Sequence, residues 1–474
     1  MTDEPRQEAL EEVTVAGSES RSVAGPRPGE RVVILVAGLG MFLSTLDTGI
    51  ITVALPTLRS QLHASTSEVA WAVTAYVVAL AASVVVFGRL ADRVGRVRVA
   101  AAGFVAFALA SIVSAMAPTI GVLIVGRVCQ GIAAAMLQAT SQALITTLLP
   151  ENRRGPALGT LGMLIGVGPV AGPTVGGVLL SFASWPFLFW INLPLCGAAL
   201  LAFRRLHDEP TSARQRPSSY DLGGSGLLAA GATALLVTIT FASKYPASSV
   251  LVLGPAIATV AVITLLVAWE RRSRDPVLRP EWFSSASTRS GLFTAGVFGA
   301  TSAIVFVVPP FILEHQLGLL DWQVGLIAAL APAGLVLASR VSGSRISRIG
   351  PWALMTTGMI VMVGALALLT VTAGLLSLPI IGVLLFVYGI GGGLFQPANI
   401  AAVMAAAGRG RQGTIGAAQR LVLNIGIGIG TTVSTALLPV LAGGGASWGA
   451  AGGLSAIGVL TLQTSRRRRH TAHS

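Results

Sequence analysis

The sequence predicts an all-α polytopic membrane protein, in which 14 transmembrane helices form two six-helix halves plus two extra central helices. Three observations indicate this fold class. The 474 residues are 53% hydrophobic and 11% charged, with a mean hydropathy of +0.77, whereas soluble domains are about a quarter charged. Apolar runs recur along the chain at the length that a bilayer requires. Basic residues collect in alternate connections between those runs.

A transmembrane helix needs about 20 apolar residues. The predicted spans are 33–58, 69–88, 99–117, 120–149, 157–182, 187–203, 222–242, 250–269, 291–313, 323–341, 352–371, 379–405, 414–437 and 447–464. The predicted domains are an N-terminal tail (1–31), an N-terminal half (32–203), a linker (204–221), the extra pair (222–270), a second linker (271–290), a C-terminal half (291–464) and a basic tail (465–474).

The basic residues predict the orientation. Of 32, 28 fall in tails and connections on the side of the N-terminus, whereas only Arg59 and Lys244 fall on the other side. Cytoplasmic loops carry such an excess, so both tails and both linkers are expected to be cytoplasmic. The net charge of +13, which would suggest nucleic-acid binding in a soluble protein, is then a consequence of topology.

An internal repeat supports the division into halves. The connections after spans two and ten match at an offset of 255 residues, where Gly88, Arg93 and Gly95 correspond to Gly343, Arg348 and Gly350. Ser347 stands where the first copy has Asp92. The copies lie eight spans apart, which two six-span halves with two extra spans between them would produce. Many secondary transporters are built from repeats.

Asp47 in span one and Arg127 in span four are charges inside the predicted hydrocarbon region. Each costs roughly 2.5–3.5 kcal/mol to insert, so each is a candidate functional residue. Both are expected about 10 Å from the outer ends of their spans, where they could pair. Two interpretations are open: a static ion pair that fixes helix packing, or a carboxylate that takes up and releases a proton beside Arg127.

Span five combines glycine and proline. Gly168, Gly172 and Gly176 recur every four residues and predict a smooth face that a second helix can approach closely. Pro169 and Pro173 each remove a backbone hydrogen bond, so we expect a bend there. The segment is either a tight packing seam or a moving hinge.

Five segments together resemble signatures of the major facilitator superfamily. Residues 88–98 resemble its cytoplasmic loop signature, and residues 166–177 resemble the antiporter signature of its exporters. Residues 46–56 (Leu-Asp-Thr-Gly-Ile-Ile-Thr-Val-Ala-Leu-Pro) are similar to the first-span signature of the fourteen-span drug:proton antiporter branch. Residues 127–131 and 190–194 resemble the span-four and span-six signatures.

The resemblance implies a rocker-switch exporter driven by inward proton flow. It implies proton coupling for Asp47 and Arg127. It implies a conformational latch between the halves for Gly88, Asp92, Arg93 and Gly95. It implies a hinge that limits proton leak for Gly168, Pro169, Gly172, Pro173 and Gly176.

Polar and aromatic residues deep in the spans are candidates for a substrate cavity, namely Tyr76, Gln138, Asn192, Gln396 and Asn399. Trp71, near a span end, is interpreted as an interface anchor. Arg420 stands where the branch usually has asparagine, close to the inner end of span thirteen, and is interpreted as snorkelling to the interface, with substrate contact as the alternative. Glu314 and His315 are interpreted as interfacial, with a second proton site as the alternative.

The sequence therefore predicts a proton-coupled exporter of lipophilic drugs or antibiotics in the cytoplasmic membrane of a high-G+C bacterium, since Lys244 is the only lysine. The alternative is a facilitator-fold carrier of a small metabolite. Metal-ligand, phosphate-loop and nucleophile-elbow motifs do not occur, so we expect neither an enzyme nor a cofactor. The expected partners are substrate, protons and lipid, with no nucleic acid, and the expected state is a monomer.

Overall fold

The computed structural model describes residues 28–204, 221–242, 245–246, 248–273, 276–277, 285–315, 319, 321–372, 377–406 and 412–437, together with residues 453, 456, 460 and 461. Regular structure within these residues is all helical. The helices are α1 (Pro28–Gln61), α2 (Thr66–Val94), α3 (Arg96–Ala115), α4 (Ile120–Leu148), α5 (Glu151–Phe182), α6 (Phe187–Trp190), α7 (Asn192–Phe203), α8 (Leu222–Ala242), α9 (Val250–Glu270), α10 (Ala286–His315), α11 (Asp321–Ala328), α12 (Leu330–Ile349), α13 (Pro351–Thr372), α14 (Leu378–Ala406) and α15 (Gln412–Leu437).

Two groups of helices pack around two apolar cores, the first of which also takes in residues of α10, α14 and α15. Helices α1–α5 and α7 share a core that includes Phe104 and Phe107, and helices α10 and α12–α15 share one that includes Met359 and Phe395. The α8–α9 hairpin lies over the line where the two groups meet, because α8 packs against both α2 and α15. This arrangement places the two extra helices beside the two halves.

Asp221 forms hydrogen bonds with both ends of this hairpin. Its carboxylate accepts hydrogen bonds from the Gly224 backbone N–H at 2.8 Å, from Trp269 Nε1 at 2.8 Å and from Ser273 Oγ at 2.9 Å. Burial acts to raise the pKa of Asp221, but these hydrogen bonds and the charge of Arg89 together outweigh it, so the pKa is lowered. The carboxylate therefore stays ionised and holds the start of α8 against the end of α9.

Ten helical segments of the described residues are long and apolar enough to span a membrane when α11 and α12 are counted as one, and α5 makes eleven if its two bent segments count as one. The predicted count of fourteen is not confirmed. Residues 187–203 fall short of a full span because they form a 4-residue and a 12-residue helix, and α15 carries several polar side chains. Predicted span 447–464 lies outside the described residues apart from four positions, as do nearly all of both tails and residues 205–220.

Gly95 and Gly350 mark equivalent turns in the two halves. Their φ angles are 113° and 85°, and they are the only glycines with positive φ among the described residues. Glycine adopts this conformation without the steric penalty of a side chain. The prediction of a loop over 89–98 is wrong: α2 runs to Val94 and α3 begins at Arg96, so Gly95 alone separates them. We call the end of the bundle that carries Gly95, Gly350 and the start of α15 the latch end.

The glycine face of α5 packs against α1, as its spacing predicts. A Cβ atom on Gly172 would lie 2.7 Å from the Ile50 backbone nitrogen, and one on Gly176 would lie 2.9 Å from the Ile50 carbonyl oxygen. The two segments of α5, Glu151–Gly168 and Ala171–Phe182, meet at an angle of 48°. The bend falls where the prolines remove backbone hydrogen bonds, although the Pro169 side chain lies outside the described residues.

Substitution of Gly172 by alanine is expected to destabilise the protein by about 1–3 kcal/mol, because the added methyl overpacks the contact with α1. Thermal unfolding of the purified protein measures the effect. Gly177 on the same helix is the matched control, since a Cβ atom there meets nothing within 4 Å. Gly177→Ala is expected to be neutral or slightly stabilising, and equal losses for both variants would contradict the packing argument.

Candidate functional site

The two charges buried in the N-terminal half form an ion pair. Arg127 Nη1 on α4 contacts Asp47 Oδ2 on α1, and both side chains are 0% exposed. Arg127 Nε also donates to the Ala72 carbonyl oxygen on α2 at 3.0 Å. The pair therefore joins three helices in the interior of the half.

Polar side chains from two further helices complete the surroundings of the pair. Asn192 Nδ2 on α7 donates to Asp47 Oδ1 at 3.1 Å and to Ser111 Oγ on α3 at 3.2 Å. Gln130 on α4 accepts from Arg127 Nη1 at 2.9 Å and donates to Ser111 Oγ at 2.8 Å. Both carboxylate oxygens of Asp47 are thus occupied by donors. We call these five residues the ion-pair cluster.

Tyr76 and Gln138 lie beside this cluster. The Arg127 guanidinium carbon stands 4.3 Å from the centre of the Tyr76 ring, a cation–π arrangement. Tyr76 Oη donates to the Ser44 carbonyl oxygen at 2.7 Å, and Gln138 Nε2 donates to Ser44 Oγ at 3.2 Å. Tyr76 and Asn192, predicted to line a substrate cavity, are buried and hydrogen-bonded in this structure. Asn192 donates to the ion pair, and Tyr76 contacts Arg127 and donates to α1.

The charge of the buried Arg127 depends on the carboxylate of Asp47. The arginine is already fully desolvated, so its charge depends on Asp47 for compensation. Protonation of Asp47 would leave a buried guanidinium with no carboxylate partner in the cluster, a state that costs several kcal/mol. One donor atom, Arg127 Nη2, already lacks a partner. In this arrangement the Asp47 carboxylate is the acidic group that faces the buried guanidinium.

The second site joins the halves at the latch end. Asp92 of α2 accepts hydrogen bonds from the Gly413 and Thr414 backbone N–H groups at 2.9 and 2.8 Å and from Thr414 Oγ1 at 2.8 Å. Arg96 pairs with the same carboxylate at 2.9 Å. The first N–H groups of a helix have no partner within it, and a carboxylate there is favoured by the helix dipole by about 0.3–2 kcal/mol.

Gly88 permits this approach, because a Cβ atom there would lie 2.6 Å from the Gly413 carbonyl oxygen. Thr146 and Thr147 at the end of α4 add two donors, since both hydroxyls contact Gln412 Oε1 at 3.1 and 2.9 Å. Arg93 lies in the last turn of α2, where a cation suits the helix dipole. The start of α15 is thus held by two helices of the other half.

The equivalent contact on the other side of the latch end lacks the carboxylate. Gly343 of α12 meets α5, where a Cβ atom would lie 2.5 Å from the Gly155 carbonyl oxygen and 2.7 Å from Gly159 Cα. Ser347, at the position of Asp92 in the repeat, is exposed. Both copies of the repeat therefore bring a glycine against the opposite half, and only the first adds a charged cap.

A chain of amides crosses between the halves nearer the middle of the bundle. Gln142 Nε2 on α4 donates to Gln419 Oε1 on α15 at 3.3 Å, and Gln419 Nε2 donates to Asn399 Oδ1 on α14 at 2.9 Å. Asn399 in turn donates to the Gly291 carbonyl oxygen at 2.8 Å. Gln396 is 2% exposed, and its Oε1 has no hydrogen-bond partner. The sequence indicated Gln396 and Asn399 but missed Gln142 and Gln419.

Arg420 and Trp71 are both buried against neighbouring helices or packed on them. The expectation that Arg420 snorkels to the membrane surface is wrong: its side chain is 2% exposed, and Nη2 contacts Met41 Sδ on α1 at 2.8 Å. The side of α15 that carries Arg420 faces the other half. Trp71 packs edge-on against Phe241 of α8 with ring centres 6.2 Å apart. The side chains of Glu314 and His315 lie outside the described residues.

Sequence comparison gives relatives over most of the chain. The chain is 27% identical over 401 residues to the riboflavin transporter RibZ of Clostridioides difficile (strain 630), which covers 84% of this chain and 86% of RibZ. It is 26% identical over 407 residues to the tetracenomycin C resistance and export protein of Streptomyces glaucescens, covering 85% and 75% of the two chains. Several further relatives are multidrug or antibiotic resistance proteins.

Comparison with solved structures supports the fold. The human organic anion transporter MFSD10 superposes with a TM-score of 0.68 at 19% identity, covering 92% of this chain and 100% of MFSD10. Residues 37–431 match the family described as the Major Facilitator Superfamily. The chain therefore belongs to the major facilitator superfamily, a family of membrane transporters and not of enzymes.

Proposed function

We propose that this protein is a proton-coupled exporter of lipophilic drugs or antibiotics, and that Asp47 is the residue that binds the proton. The observation that carries the proposal is the fully buried Asp47–Arg127 pair. Resistance and export proteins among the relatives support the substrate class. One proton charge moved through 100 mV supplies about 2.3 kcal/mol, enough for a roughly fifty-fold substrate gradient.

The ion-pair cluster supplies a reason for coupling. With Asp47 ionised, the closed packing around Arg127 is favourable. With Asp47 protonated, the buried guanidinium loses its partner, so a conformation that readmits water or substrate around Arg127 becomes favoured. Proton binding thereby biases the equilibrium between two arrangements of the half.

The glycine face of α5 is the element through which this bias would reach the rest of the bundle. It contacts α1 on both sides of Asp47, at Thr45 and at Gly49 and Ile50. The 48° bend of α5 begins next to the same contact. We therefore assign α5 as the hinge, and its close seam with α1 would limit the passage of water and protons.

The latch end is closed in this structure. The contacts of Asp92, Gly343 and Gln412 join the halves there, and alternating access requires them to separate in the opposite state. If the latch end is cytoplasmic, as the arginine distribution predicts, this is the state closed to the cytoplasm. We place the protein in the cytoplasmic membrane with both termini inside.

A carrier for a small metabolite is the second candidate function. The relation to a riboflavin transporter at 27% identity favours it. The two candidates share the fold and the latch and differ in cargo, so a substrate panel that includes riboflavin separates them.

Asp47→Asn is expected to lower substrate-dependent proton release at least tenfold, because an amide does not bind a proton at physiological pH. The assay uses inside-out vesicles that are acidified inside, and it follows loss of the pH gradient as lipophilic antibiotics, dyes and riboflavin are added.

The matched control for Asp47→Asn is Glu68→Gln. Glu68 is exposed and closes the capping box at the start of α2, where glutamine is an accepted substitute. This variant is expected to behave like the wild type. Proton release that persists in Asp47→Asn would show that another residue carries the proton.

Asp92→Asn is expected to open the latch end more often, because it removes the charge that caps α15. A loss of about 1–2 kcal/mol raises the open population roughly 5- to 30-fold. The reporter is Ser339→Cys in a protein without Cys129 and Cys196, since Ser339 is 0% exposed and its hydroxyl lies near Gly162 across the seam. The measured quantity is the rate of maleimide labelling.

Ser347→Ala, the equivalent position in the other half, is the control for Asp92→Asn. Ser347 makes no charged contact across the seam. Maleimide should therefore label the reporter cysteine at position 339 equally fast in Ser347→Ala and in the parent. A labelling rate in Asp92→Asn that equals the parent rate would refute the latch assignment.

A further inference from the structure

Arg420 of α15 is a buried cation that has no acidic partner among the residues the structure describes. The side chain is 2% exposed, and its Nε atom has no hydrogen-bond partner. Within the described part of the chain, Arg420 donates from Nη2 to Met41 Sδ at 2.8 Å. The ion pairs Arg96–Asp92 and Arg127–Asp47 do not involve it.

This arrangement leaves the charge of Arg420 uncompensated. A guanidinium carries five N–H donors, and a thioether sulfur is a weak acceptor. Burial of a charge is tolerated when the charge is paired and hydrogen-bonded. The described residues supply no such pairing for Arg420, whereas the equally buried Arg127 has a carboxylate, an amide oxygen and a backbone carbonyl oxygen.

A second unpartnered donor lies one turn further along α15. Asn424 Nδ2 is buried and has no hydrogen-bond partner, and residues four apart share a face of a helix. Two donor groups on one face, one of them charged, suit an anion with two oxygen atoms. The positive charge of Arg420 disfavours a cationic ligand at this pair, although Asn424 also carries an acceptor oxygen.

The position of Arg420 suits substrate binding. The contact with Met41 crosses from α15 to α1, and hence lies between the two halves that alternating access separates. Met41 precedes Asp47 by six residues, about 9 Å along the axis of α1. A ligand at Arg420 would therefore contact the helix that carries the proposed proton site.

We propose that Arg420, together with Asn424, binds the anionic group of the substrate, a carboxylate or similar oxyanion on a lipophilic body. The inference rests on the proposed function, because it names the substrate class of that exporter. The carboxylate would replace the thioether of Met41 as the partner of the guanidinium. The preferred cargo is then a lipophilic monoanion.

The test compares 1-pyrenebutyrate with its neutral primary amide, which differ in charge and share the same body. The full-length protein is placed in nanodiscs of zwitterionic lipid, and binding is read by energy transfer from its 8 tryptophans to pyrene. Wild type is expected to bind the butyrate about tenfold or more tightly than the amide. Arg420→Gln should weaken butyrate binding about tenfold and leave amide binding unchanged.

Arg420→Lys, which keeps the charge, should keep the preference for the butyrate. Unchanged amide binding by Arg420→Gln also shows that this variant is folded. If Arg420→Gln does not fold, the proposal is tested by whether the wild type prefers the butyrate to the amide. Equal affinity for the two probes in the wild type would overturn the proposal, as would a preference that survives in Arg420→Gln. The assay uses no gradient, so its result is independent of whether Asp47 couples transport to protons.

Discussion

The buried charge pair between α1 and α4 is the constraint on which the rest of the structure depends. Neither Asp47 nor Arg127 has access to solvent, so each requires the other and a set of polar neighbours. Helices α1, α2, α3, α4 and α7 all contribute a group to the pair or its surroundings. A change in the charge of Asp47 would therefore act on groups from five helices of the N-terminal half.

Helix α1 connects this constraint to the other features of the molecule. Its residues near Asp47 lie against the glycine face of α5, and Met41 on the same helix contacts Arg420 of the other half. The halves meet through Asp92 and the start of α15 at one end. A proton at Asp47, an anion at Arg420 and the contact at the latch end would thus all act on the same interface between the halves.

Sequence reasoning predicted the features that depend on residue type and spacing along one helix. Embedded charges indicated Asp47 and Arg127, and a glycine every fourth residue indicated the close packing of α5. Sequence reasoning failed for Arg420, because the distance of a residue from a helix end does not show whether its side chain faces lipid or another helix. It missed Ser111, Gln142 and Gln419, whose roles depend on partners from other helices.

Distance measurement between the halves tests the central claim that protonation of Asp47 controls their opening. Spin labels at the exposed positions Arg98 and Arg345, in a protein without Cys129 and Cys196, report the separation at the latch end by pulsed electron paramagnetic resonance. We predict that the wild type shifts from a short to a long distance as pH falls, and that Asp47→Asn shows a distribution that does not change with pH. The same pH response in wild type and Asp47→Asn would contradict the account.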